Sequence, residues 1–177
     1  MNIEEFFLKS VGEWNSMRSG HSLAFQEFEE IRSKIKIVPA KSNDSRVIKF
    51  LKDNLITTNA INKAFLINWE AKSEWDEENQ KENSSGESIL IPIELSKTEG
   101  KIIRSIGYTE AIQVVSLYKI LDDGTLIIHS DYSNICTEER IWFVSKNVRS
   151  RSSVTRAIDS LAILQTSYAS EIRSIKN

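Results

Sequence analysis

The residues best suited to chemistry lie in "CTEERIWFVSKNVRSRSSV", Cys136 to Val154. The segment reads as two β-strands joined by a turn at Lys146-Asn147. Residues two apart on a strand share a face. Arg149, Arg151 and Ser153 therefore form one row, with Val148 and Val154 on the opposite side. On the preceding strand Thr137, Glu139, Ile141 and Phe143 share a face, and Cys136, Glu138, Arg140, Trp142 and Val144 share the other. An arginine row in water needs no explanation. An arginine row turned inward costs on the order of several kcal/mol per unpaired charge. It therefore implies an internal carboxylate, an anionic ligand, or both, because guanidinium forks bind carboxylates through paired hydrogen bonds. Periodicity leaves open whether Glu138 or Glu139 is the inner glutamate. The structural alternative for the glutamates is a cross-strand ion pair worth under about 1 kcal/mol.

A second cation belongs with this group. "GEW" places Trp14 on the first predicted strand, and Arg18, four residues on, shares its face. A Gly-x-Trp on the first strand is a lipocalin-like feature, in which the indole closes one end of a barrel. If Trp14 points in, so does Arg18. Cys136 has no histidine near it in sequence, so we read it as a small buried residue rather than a nucleophile. His21 and His129 are too few and too scattered for a metal site. His129 reads as a barrel side chain, with Asp131 on its face and able to reach a pocket.

These side chains need a rigid sheet. The chain has 177 residues, which suits one domain, 1–177, with its own core. The net charge of -2 gives no electrostatic reason to bind nucleic acid or an anionic membrane. A single cysteine fits a reducing compartment, no apolar run is long enough to span a bilayer, and "MNIEEFFLKS" lacks the features of a secretory signal. We expect a cytosolic protein, or a plastid stromal one if the host is eukaryotic.

Along the chain, Asn2 caps a predicted helix over Ile3–Lys9. Two strands follow with a turn near Phe28 to Arg32, and then a helix carrying Val47, Ile48, Phe50 and Leu51, capped by Asp44 or Ser45. Ile61, Phe65, Ile67 and Trp69 fall on one strand face. The polar stretch after it reads as a mobile hairpin loop, and Pro92 in "SILIPIEL" predicts an edge or a bulge. "LDDGTL" is an Asp-Gly hairpin turn. "AILQTSYASEIRSI" ends the chain as a strand, or as a short helix and strand. Eight to ten strands in a meander predict an up-and-down barrel able to enclose one small ligand.

In this setting, "MNIEEFF" with "GEWNSMRSGHSLAF", "INWEAKSEWD", "SILIPI", "GYTEAIQVVSLYKI" with "DGTLIIHSDY", "EERIWFVSKNVRSRSSV" and "SYASEIR" together resemble the S-type bilin lyases of phycobiliprotein assembly, the CpcS/CpeS family. The resemblance spans nearly the whole chain. It implies an all-β fold, a ten-stranded antiparallel barrel of the lipocalin and fatty-acid-binding type with one or two short helices. It implies binding of a phycobilin, phycoerythrobilin or phycocyanobilin, as substrate rather than as a cofactor. It also implies transfer to a cysteine of an apo-phycobiliprotein subunit, no metal, and a homodimer or a heterodimer with a related lyase. On that basis Arg18, Arg149 and Arg151 are expected on the propionates and Ser153 on a further hydrogen bond. The family pattern makes Glu139 the pocket glutamate, with Glu138 as its fallback. Trp69 and Trp75 are expected to wall the tetrapyrrole. A passive carrier of a bilin or another apolar acid, and a ligand-free interaction module, are the competing readings.

Overall fold

A computed structural model describes residues 1–41, 43–53, 63–73, 84–105 and 114–175. The ten strands run antiparallel in a single meander and close where the first meets the last. They are β1 (Gly12–Ser22), β2 (Glu27–Pro39), β3 (Phe65–Ser73), β4 (Ser84–Glu94), β5 (Glu99–Arg104), β6 (Val114–Ile120), β7 (Leu126–Tyr132), β8 (Ile135–Ser145), β9 (Val148–Ala157) and β10 (Ile163–Arg173). Two helices accompany them, α1 (Ile3–Ser10) and α2 (Ser45–Asp53). Closure pairs both sides of the sheet, so the long apolar strands expose no continuous edge.

The first helix forms where its sequence directs it. The Asn2 side chain accepts from the Glu5 amide at 2.9 Å, and the Glu5 carboxylate accepts from the Asn2 amide at 2.9 Å, a reciprocal cap. Ile3, Phe6 and Phe7 on its buried side enter one end of the barrel. There they meet Phe65, Ile102, Leu126, Ile128 and Ile141 from the strands. The second helix packs outside instead, placing Val47 and Leu51 against Leu66, Ile89, Ile91 and Ile103. Beneath α2, strands β3 to β5 thus bury apolar side chains on their outer face as well as their inner one. Asp44 caps α2, its Oδ1 accepting the Arg46 amide at 3.0 Å.

Several local expectations change. The first hairpin turns at residues 23–26, not near Phe28 to Arg32. Its turn lacks Gly, Pro and Asn, and Gln26 takes the left-handed conformation at φ 57°, so turn composition gave no signal. Ser84 to Glu87 belong to β4 rather than to a loop. Pro92 pairs with Ile102 inside a closed barrel. The β3 ladder stops at Leu90, two residues earlier, so the missing amide proton falls where β4 is locally an edge. The C-terminal segment is one strand, with no helix. Ile61 lies outside the described residues. No helix among the described residues is long and apolar enough to cross a membrane.

Candidate functional site

Strand registers decide which side chains face the lumen. Trp14 lies opposite Arg173, Ser16 opposite Glu171, and Arg18 opposite Ala169. Glu171 lies opposite Arg149, Ala169 opposite Arg151, and Ser167 opposite Ser153. Arg149 lies opposite Phe143, Arg151 opposite Ile141, and Ser153 opposite Glu139. Directly opposed residues share a face. Arg18, Glu139, Arg149, Arg151 and Ser153 therefore join the inner face that carries Trp14. Glu139 is the inner glutamate and is buried. Glu138 is outside, bonded to Arg140 at 2.7 Å. His129 and Asp131 are also outside, contrary to the barrel-interior reading. His129 opposes Glu138 in the register, and the Asp131 side chain is exposed. Cys136 is half-buried on the outer face, opposite Asp131 and Arg156, and not in a core. The period-two argument grouped these residues correctly, but one apolar neighbour on each side does not say which group faces in.

The inner face divides along the barrel axis into a floor and a chamber. In the floor, Trp14 is 1% exposed and its indole N–H donates to the Ser10 carbonyl at 2.8 Å. Guanidinium groups lie over the ring, Arg149 at 4.7 Å and Arg173 at 4.2 Å from its centroid. Arg149 Nε donates to Glu171 Oε2, with the two side chains 3% and 1% exposed. Arg173 donates to the carbonyls of Val11 and Lys9, tying the last strand to the end of α1. Gly12 has φ +135°, a conformation that strains any L side chain, so the glycine of Gly-x-Trp is required by its backbone. Arg149 is inward but engaged by Glu171 and Trp14. Its Nε contact with Glu171 and its place over Trp14 make it part of the floor.

Above the floor the lining changes character. Arg18 is half-buried, and among the described residues it has no ion-pair or hydrogen-bond partner. Glu139 Oε2 lies 3.3 Å from Arg104 Nη2, and its Oε1 lies 4.0 Å from Arg151 Nη1. Arg104 is 6% exposed, whereas Arg151 keeps 22% of its side chain accessible. Cross-strand hydroxyl pairs line the wall beside them: Ser116 with Ser130 at 2.7 Å, Thr137 with Thr155 at 3.0 Å, and Ser153 with Ser167 at 2.7 Å. The facing wall carries Ile35, Ile67 and Trp69. Trp69 lies opposite Gly86, where an added Cβ would sit 2.3 Å from indole Cζ2, so the glycine makes room for the ring. Trp75 lies outside the described residues.

Three charged inner-face residues went unnamed in the sequence analysis, Arg104, Glu171 and Arg173. Each had a signal, because Arg104 continues the Gly100, Ile102 row of "GKIIR" and Glu171 sits between Ala169 and Arg173 in "ASEIR". Among the described residues the chamber thus holds three cations, Arg18, Arg104 and Arg151, against one anion, Glu139. Cations beside an apolar wall make a lining that could take a ligand with acid groups on an apolar body.

Comparison with known proteins agrees with this geometry. The model of the CpeS-like protein family matches residues 2–174. A protein of Trichodesmium erythraeum (strain IMS101) named chromophore lyase CpcS/CpeS 3 is 39% identical over 98% of this chain and 100% of its own length. The chromophore lyase CpcS/CpeS of Thermosynechococcus vestitus is 33% identical over 98% of this chain and 93% of its own. The solved structure of the S-type phycobiliprotein lyase CpeS from Guillardia theta superimposes with a TM-score of 0.85 at 30% identity, covering 100% of this chain and 95% of that one. A barrel closed by the same meander, and a family match across almost every residue, establish that this chain belongs to the CpeS-like family.

Proposed function

We propose that the protein is a phycobiliprotein lyase, which holds a linear tetrapyrrole in the chamber and directs its attachment to a cysteine of a phycobiliprotein subunit. The observation that carries this reading is a buried carboxylate set among arginines, Glu139 with Arg104 and Arg151. A fatty acid would gain from the cations, but its single carboxylate would be repelled by Glu139. A bilin has two propionates for the cations and basic ring nitrogens for the carboxylate. The passive-carrier reading therefore leaves Glu139 without a purpose.

The expected roles follow from position. Arg18 and Arg151, which face the chamber from β1 and β9, take the propionates, and Ser153 adds a hydrogen bond. Trp69 walls the pigment from the apolar side. Glu139 accepts from the ring nitrogens and favours the protonated, more electrophilic bilin. The bilin is substrate, phycoerythrobilin or phycocyanobilin, and not a resident cofactor. The acceptor thiol adds across the ethylidene double bond: sulfur bonds to carbon, the double bond is lost, and the thiol proton is taken up by the product. Nothing in this step needs a strong catalytic group. Holding the pigment extended with one face open to the thiol supplies most of the rate. The reaction belongs in the cytosolic or stromal compartment where phycobiliproteins assemble.

Purified protein mixed with phycocyanobilin or phycoerythrobilin should give a sharpened, red-shifted absorbance. Adding an apo-subunit should then yield a covalent adduct, seen by zinc-enhanced fluorescence on a denaturing gel. An unchanged pigment spectrum would remove the reading, and binding without an adduct would reduce the protein to a carrier. Glu139→Gln should still bind pigment but hold it in the unprotonated form. A wild-type spectrum in that variant would contradict the role given to the carboxylate.

A further inference from the structure

The two ends of the barrel differ. One is closed by α1, Trp14 and the Arg149–Glu171 pair. The inner face opens toward the other. Along β10, Glu171 and Ala169 are buried, Ser167 is half-buried and Gln165 is exposed. Three described hairpin turns stand at this mouth, at residues 23–26, 133–134 and 158–162. Backbone bonds tie them to their neighbours: the Leu23 amide donates to the Leu164 carbonyl at 2.8 Å, and the Ile158 amide to the Asn134 carbonyl at 2.9 Å. The rim so formed is apolar where turns are ordinarily polar. Leu23, Phe25 and Phe28 stand exposed at or beside the first turn, and Ile158, Leu161 and Ile163 at or beside the third. The three hairpin turns at the floor end carry Ser96-Lys97-Thr98, Asp122-Asp123-Gly124 and Lys146-Asn147, with one large exposed apolar side chain, Leu95. Leu161 also holds φ 56°, a left-handed conformation that strains a bulky side chain and that glycine takes freely. It is 67% exposed, so neither its conformation nor its burial stabilises the fold. Single exposed apolar residues need no explanation, but six on two adjacent turns form a patch, and a patch that the fold does not use marks a contact surface.

Resting on the lyase reading, we propose that this apolar rim is where the acceptor phycobiliprotein subunit docks. A folded subunit is too large to enter the lumen of a ten-stranded barrel, so it must sit on an open end and present its thiol inward. The floor end is packed shut. The mouth is the end from which the chamber is reached, and its rim offers Phe25 and Leu161 to apolar residues flanking the acceptor cysteine. The size of the patch argues against a second copy of this chain as its occupant. Stable interfaces use about 20–30 residues from each partner. Six side chains suit a contact that must release its partner once the pigment has been transferred.

Two rim variants and one control test this. Phe25→Ser removes a ring that is 76% exposed. Leu161→Gly removes an apolar side chain and relieves the strained backbone, so its unfolding midpoint should stay at or above wild type. Each should bind phycocyanobilin or phycoerythrobilin, whichever wild type attaches, with wild-type affinity and spectrum. Each should need about ten times more apo-subunit for half-maximal transfer, the loss expected on truncating a central contact residue. The rate at saturating apo-subunit should stay near wild type. Leu95→Ser, at the floor end, should leave the half-saturating concentration unchanged. Half-saturation at the wild-type concentration in both rim variants overturns the inference and leaves the lyase reading intact, as does an equal rise in Leu95→Ser. A rim variant that changes from dimer to monomer by light scattering, with half-saturation unchanged, assigns the rim to a second copy and overturns it too. If wild-type protein forms no adduct with the apo-subunit, the lyase reading fails, and the inference with it.

Discussion

Arg149 and Arg151 are two residues apart on one strand and one face, yet they belong to different regions of the barrel. Arg149 is 2% exposed, bonded to Glu171 and stacked over Trp14. Arg151 keeps 22% of its side chain accessible and stands 4.0 Å from its nearest carboxylate oxygen in Glu139. In the floor every charge has a tight protein partner, and aromatic rings fill the space between. In the chamber, among the described residues, Arg18, Arg104 and Arg151 stand with Glu139, and serine and threonine replace the rings. The same residue type thus stands in two different surroundings according to its depth. A guanidinium with a buried, well-aligned counter-ion cannot be released to a ligand without breaking that pair, which costs about 3–5 kcal/mol.

This contrast can be broken first at its deepest point. Arg149→Ala strands Glu171 as a buried unpaired carboxylate and exposes one face of the Trp14 indole. We expect a loss of about 3–5 kcal/mol in urea unfolding, with little specific effect on pigment affinity in the protein that remains folded. A stable variant with weakened pigment binding would move Arg149 into the chamber. The complementary change, Arg151→Ala, should leave the unfolding midpoint close to wild type and weaken pigment binding by about 1.5–3 kcal/mol, as loss of a charged hydrogen bond would. Wild-type affinity from a spectroscopic titration would show that Arg151 makes no contact with the ligand. Gly86→Ala sharpens the comparison on the opposite wall. The new methyl meets Trp69 at 2.3 Å, so the indole must swing away. We expect a destabilisation of about 1–3 kcal/mol from overpacking and a displaced pigment absorbance maximum. An unchanged maximum would mean that Trp69 does not wall the pigment.

The cap on α1, the Gly-x-Trp corner and the alternation in "EERIWF" and "VRSRSSV" are local patterns, and local patterns survive in a sequence. They grouped Arg149 with Arg151 and Ser153, and set Glu139 apart from Glu138. The turn at residues 23–26 was hidden because Gln26 adopts its left-handed conformation without the glycine that would advertise it. Arg104 was hidden for a different reason. Its partner is 35 residues away on a strand that is not its neighbour, a relation with no period.

What the chain alone determined is therefore the set of faces, because a period of two depends only on the geometry of a single strand. The tertiary structure decided which face is inner and how deep each residue lies, because these depend on closure. Only when β10 pairs with β1 does Arg173 come opposite Trp14 and over its indole. Only across the closed lumen does Arg104 reach Glu139. Burial, and with it the energy of every charge in this protein, is a property of the completed ring of strands.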